Sequence, residues 1–275
     1  MKRRFHQVDV FGAAPMHGNP LAVVHDADGL SDADMAAFAR WMNLSETTFV
    51  LAPADPAADY RVRIFTPNVE LPFAGHPTLG TAWAWLAAGG QPRHPERLVQ
   101  QCGVGLVALR RTPQLAFEAP PLRRSGPLAP DVLAQACRAI GVAEAEVQRH
   151  GWVDNGPPWS ALMLRSAAAV RALRPDWDAL GELDLGVVGA HPPGQATQFE
   201  VRAFIGRGRF EDPVTGSLNA GLALWLIAAG LAPEAYVAGQ GHALQRDGRV
   251  TLAREGGSVW VGGAVALVVE GTVDL

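Results

Sequence analysis

A chain of 275 residues, 48 % hydrophobic and 18 % charged, exceeds the usual size of one hydrophobic core, so two domains are expected and disorder is excluded. The formal charge of −4 gives no basic footprint for nucleic acid, and two cysteines, Cys102 and Cys137, are too few for a disulfide framework. No apolar run follows the basic start MKRRFHQVDVFG, and the longest apolar stretch, 218–233, is interrupted by Asn219, Gly221 and Gly230, so a cytoplasmic protein without a membrane span is expected.

In chain order, HQVDVFG reads as a strand, broken by His17-Gly18-Asn19-Pro20 before a second strand, LAVVH. Ser31 with Asp34 three positions on forms a capping box, opening a helix whose buried stripe is Met35, Phe38, Ala39 and Met42 and whose end is Asn43. LSETTFVL links into a strand, and residues 60–66 alternate as another before a turn at Pro67-Asn68. Cys102 lies in the strand-like LVQQCGVGLVAL and Cys137 in the helix-like DVLAQACRAIG, both as packing residues. Between them, residues 118–131 (EAPPLRRSGPLAPD) form the linker candidate. Strand, helix and strand follow, closing with VTLARE, GGSVWVGG and AVALVVEG. No metal-ligand spacing occurs, and Gly206-Arg207-Gly208-Arg209 lacks the third glycine of a dinucleotide fingerprint, so neither a metal nor a nucleotide cofactor is expected.

The chain nearly repeats itself. Residues 70–89, ELPFAGHPTLGTAWAWLAAG, align without a gap onto 211–230, EDPVTGSLNAGLALWLIAAG. A Glu-x-Pro-x-x-Gly turn feeds an apolar helix in each copy, predicted over 77–88 with Pro77 first and over 217–229, with Gly89 and Gly230 just past the ends. Helices apolar on nearly all sides must be covered all round, here by sheet. Two such halves would set two helix N-termini, each suited to an anion, around a small acid.

Residues able to carry chemistry reduce to Glu46, His76, Asp212 with its neighbour Glu211, and Ser217, the repeat counterpart of His76. Glutamate, histidine and aspartate converging on a cleft make an acid–base site. Each also has a plain structural use: His76, Asp212 or Ser217 as a helix cap, Glu46 as a solvated link residue, Asn19 as a turn former. Spacing alone leaves both uses open.

On these residues GNPLAVV (18–24), NLSETTFV (43–50), FTPNVELPFAGHPTLGTA (65–82) and EDPVTGS (211–217) resemble the signature blocks of the PhzF-like isomerase family of phenazine biosynthesis, itself similar in fold to diaminopimelate epimerase. The resemblance implies an α/β (α+β) fold of two pseudo-symmetric domains, each a curved, mostly antiparallel sheet wrapped around a central helix. The first would span residues 1–120, completed by the tail 263–275, and the second 121–262. It implies Glu46, His76 and Asp212 as catalytic residues, Asn19, Gly75, Gly216 and Ser217 as substrate-binding residues, and a homodimer. The epimerase relatives use two cysteines in the opposing turns, and this chain has a thiol in neither. The expected activity is therefore a cofactor-independent, glutamate-mediated proton shift on a small, carboxylate-bearing, cyclic unsaturated amino or hydroxy acid in the inter-domain cleft. An epimerase acting through Glu46 and a non-catalytic small-acid binder are the alternatives. RAFIGRGRFEDP and Leu218-Asn219 depart from the family pattern and leave the substrate open.

Overall fold

A computed structural model describes residues 1–275, which divide into two compact units, Met1–Glu118 with Gly262–Leu275, and Ala119–Val261. In the first unit β1 (Lys2–Val10) runs antiparallel to β2 (Asn19–Val24), and α1 (Asp32–Met42) leads to β3 (Glu46–Leu51), parallel to β2. β4 (Tyr60–Phe65) pairs antiparallel with β3 and with the two-residue β5 (Glu70–Leu71). After α2 (Gly75–Ala87), β6 (Arg97–Cys102) returns parallel to β4, and β7 (Gly105–Arg110) and β8 (Ala116–Glu118) continue antiparallel. The C-terminal strand Val265–Asp274 completes this unit antiparallel to β1. α1 has the expected capping box on Ser31 and Asp34 and ends at Asn43 in the left-handed conformation.

The second unit holds α3 (Pro130–Ile140), β9 (Val147–Trp152), β10 (Ser160–Leu164), α4 (Ala167–Ala172), α5 (Trp177–Leu180), β11 (Asp184–Ala190), β12 (Phe199–Ile205) and β13 (Phe210–Asp212). α6 (Gly216–Ala228), β14 (Ala235–Gln240), β15 (Gly248–Glu255) and β16 (Ser258–Gly262) follow, so the C-terminal strand is β17. The pairing order of β1 to β7 recurs in β9 to β15, with β10–β11 and β12–β14 parallel and the other pairs antiparallel. Register recurs between β3–β4 and β11–β12: Thr47 faces Phe65 in the first unit, and Leu185 faces Phe204 in the second. By position in this duplicated pattern, Leu185 is the counterpart of Thr47.

Each repeat helix spans 13 residues and is almost wholly buried through its first three turns. Gly80 and Gly221, shared by the two copies, mark where a neighbouring segment packs close against the helix. A Cβ on Gly80 would sit 2.6 Å from Leu21 Cδ2, and one on Gly221 only 2.4 Å from the Val153 carbonyl oxygen. Both helices end before a left-handed glycine, Gly89 or Gly230.

The helices begin earlier than predicted, at Gly75 and Gly216, behind the extended N-caps Ala74 and Thr215. Pro77 is thus the third helical residue, where the missing N–H costs nothing because first-turn amides have no intrahelical acceptor. Asn19 and Pro20, read from sequence as a strand break, belong to β2 and face Val10 and Asp9.

The repeated glutamates are struts. Arg63 Nε and Nη2 donate to Glu70 Oε1 and Oε2 at 2.7 and 2.6 Å, and Arg202 makes the same fork to Glu211 at 2.9 and 2.6 Å. Each guanidinium also lies over the phenylalanine two residues on, at 5.1 Å for Phe65 and 4.9 Å for Phe204. Glu211, a sequence candidate for chemistry, is committed to this pair.

Candidate active site

In the first unit, the parallel pairing of β2 with β3 places Glu46 at the head of its strand, while α2 presents His76 in its first turn. Glu46 Oε2 and His76 Nε2 lie 3.4 Å apart, with side chains only 15 % and 5 % exposed. The His76 ring is hydrogen-bonded to the Pro20 backbone, and burial, outweighing that bond, lowers its pKa to about 3, so the imidazole is neutral. Proline has no N–H, so the Pro20 carbonyl is the acceptor. Nε2 makes no hydrogen bond, which leaves Nδ1 as the donor. The Nε2 lone pair therefore faces the Glu46 carboxyl.

The loop before β2 is built to deliver these groups. Asp9, buried on β1, accepts from the Gly18 N–H at 2.8 Å and the His17 N–H at 3.1 Å through Oδ2. Gly18 passes so close to β1 that a Cβ there would sit 2.1 Å from the Val10 carbonyl oxygen. Asn19 follows, fully buried, with Pro20 directly across from Asp9.

The same unit buries a second imidazole pair, His25 Nε2 within 3.1 Å of His6 Nδ1. Burial first, and the neighbouring His6 second, lower the His25 pKa to about 4. His25 and His76 thus bind a proton less readily folded than unfolded. Their stabilisation is complete above about pH 6.5 and is lost as the pH falls toward 4. Denaturant unfolding at pH 7 and 4.5 should show a loss on the order of 2–3 kcal/mol from each, largely absent when both are replaced by glutamine.

In the second unit Asp212 closes β13, buried, and Thr215 Oγ1 donates a short hydrogen bond to its Oδ2. Gln240 of β14 locks this turn, accepting from the Thr215 N–H at 3.0 Å and donating to Thr215 Oγ1 at 2.9 Å and to the Asp212 carbonyl at 3.0 Å. Asn219 donates to Gln240 Oε1 at 2.8 Å. Ser217 Oγ accepts from the Trp159 indole at 3.1 Å, which leaves the hydroxyl proton to donate elsewhere. Neither Ala74 nor Thr215 caps its helix through a side chain, and Gly75 and Gly216 are the first residues of α2 and α6. Glu46, His76, Asn19 and Gly75 therefore gather in one unit, and Asp212, Gly216 and Ser217 in the other.

Sequence reasoning did not find Asp9, Pro20, Thr215, Asn219 and Gln240 as parts of these clusters. Pro20 acts through a main-chain carbonyl, and Gln240 through strand pairing 25 residues away from Thr215; neither leaves a local signal. No three His, Cys, Asp or Glu side chains gather in a metal-binding arrangement. No helix is long and apolar enough to cross a membrane.

The architecture matches that of a PhzF family protein from Enterococcus faecalis, with a TM-score of 0.82, 26 % identity and full coverage of both chains. In fold alone it also matches a hydroxyproline epimerase from Agrobacterium vitis, with a TM-score of 0.57 and 12 % identity over 99 % of this chain and 91 % of that one. Fold and site together define an enzyme of the isomerase class with an epimerase-like architecture. The chain belongs to the phenazine biosynthesis-like (PhzC-PhzF) family, whose pattern it matches over residues 8–271. It is 37 % identical over 229 residues to the trans-2,3-dihydro-3-hydroxyanthranilate isomerase of Pseudomonas chlororaphis, covering 81 % of this chain and 79 % of that protein.

Proposed function

We propose that the protein is a cofactor-independent isomerase in which Glu46 removes a proton from an activated C–H bond of a small, cyclic, unsaturated amino or hydroxy acid. Glu46 then returns the proton to another carbon on the same face. The observation that supports this reading is the nearly buried pair of Glu46 Oε2 and the neutral His76 Nε2, 3.4 Å apart, beside helix starts that hold no thiol. A two-base inversion needs an acid and a base on opposite faces. Thiols do not supply them. Cys102 and Cys137 lie in β6 and α3, and burial raises the pKa of each.

The remaining groups hold the substrate in this reading. Asp212, oriented by Thr215, takes an amine or hydroxyl, and the amides near Gly75, Gly216 and Ser217, together with the Ser217 hydroxyl, take the carboxylate. The charge that develops is spread through the substrate's own unsaturation. The named activity of the Pseudomonas relative makes trans-2,3-dihydro-3-hydroxyanthranilate the first compound to try.

Incubation of that compound and a panel of related cyclic amino and hydroxy acids in heavy water tests the proposal. A moved double bond with deuterium at the newly protonated carbon is the expected result. Inversion at a stereocentre without a bond shift would establish the epimerase instead, and no change in any member of the panel would leave a binding protein.

A further inference from the structure

Within that isomerase reading, the groups behind His76 assign it a narrower task than holding substrate. Two facing lone pairs repel, so the contact between Glu46 Oε2 and His76 Nε2 is attractive only when a proton lies between them. With Nδ1 engaged by the Pro20 carbonyl, that proton has to come from Glu46. We propose that Asp9 is a positioning residue: by clamping the 11–18 loop it presents the Pro20 carbonyl that locks His76 as the Nδ1–H tautomer, so that Nε2 receives a hydrogen bond from Glu46 only in its protonated state.

The proton balance is simple. The substrate C–H bond breaks, its electron pair stays in the conjugated acid, and the proton becomes the Glu46 O–H. That O–H is steadied by His76 Nε2 until it is delivered to the second carbon, and His76 neither gains nor loses a proton over the cycle. The flipped tautomer would instead direct an N–H at Glu46, favour the bare carboxylate and weaken it as a base. Three features make the lock rigid: Asp9 is 2 % exposed, Pro20 is its direct cross-strand partner, and Gly18 has no room for a side chain.

The tautomer can be read without substrate, from two-bond proton–nitrogen NMR of the 15N-labelled protein, with His76 identified by its loss in His76→Gln. The wild type should show Nδ1–H alone at His76. Asp9→Ala, which removes the acceptor for both loop amides, should show a mixture with Nε2–H. It should also lower turnover of the acid identified above by about tenfold or more with little change in KM, and Asp9→Asn, which keeps one oxygen, should restore most of it. Should Asp9→Ala not fold, Asp9→Ser takes its place. An Nε2–H form in the wild type overturns the proposal, as does an unchanged tautomer or unchanged turnover in the folded Asp9 variant. Failure of the isomerase reading would show as absent turnover while the nitrogen spectrum stayed as expected, so the two failures are distinguishable.

Discussion

Glu46→Gln is expected to retain the fold while lowering turnover by about a thousandfold, measured as the rate of double-bond migration in the acid identified by the heavy-water screen. Glutamine is nearly isosteric and keeps an oxygen, so the packing of a side chain 15 % exposed at the head of β3 is little disturbed, but an amide cannot carry the proton between carbons. Unchanged melting with lost turnover supports the shuttle. Comparable activity in the variant would move the chemistry away from this carboxylate altogether. Leu185→Ala, in a buried strand of the second half, supplies a control: as a cavity it should cost stability while leaving Glu46 in place.

The second large effect separates two copies of one motif. Arg202→Leu is expected to cost about 3–5 kcal/mol in denaturant unfolding, because the Arg202 and Glu211 side chains are only 4 % and 6 % exposed and the change strands a buried carboxylate. The Leu173 carbonyl, which accepts from Arg202 Nη1 at 2.7 Å, loses its donor as well. Arg63→Leu, with Glu70 41 % exposed and able to rehydrate, should cost below about 1 kcal/mol. Replacing Glu211 by leucine in the Arg202→Leu background should recover most of the loss, since a paired apolar substitution removes the stranded charge. Equal costs in the two halves would show that burial does not govern these pairs.

Much of the architecture was written in local chemistry. The capping box at Ser31, the all-apolar helices and their closing glycines each rest on interactions within a few residues, and all three recur in the structure. The glycine–histidine–proline and EDP-TGS blocks likewise marked the two helix starts, although the helices open one or two residues earlier than Pro77 and Ser217 suggested. Those starts were misjudged because the turn before each helix ends in an extended N-cap without a capping side chain, which has no compositional signature. The reading of Glu211 as a candidate for chemistry failed for a different reason. Its partner, Arg202, sits on a neighbouring antiparallel strand, and only register brings the two into a fork.

By itself, the amino-acid sequence determined that this protein is built twice from one strand–turn–helix plan, because hydrophobic periodicity and turn residues act over a few positions and survive in both copies. It also determined which acids, imidazole and hydroxyl stand near the turns. Tertiary structure alone decided what those groups face. The parallel alignment of β2 and β3 sets Glu46 against an imidazole 30 positions away in the chain, and a proline carbonyl chooses which ring nitrogen is turned toward it. Protonation and tautomer are properties of a buried surrounding, and that surrounding is assembled from segments distant in sequence.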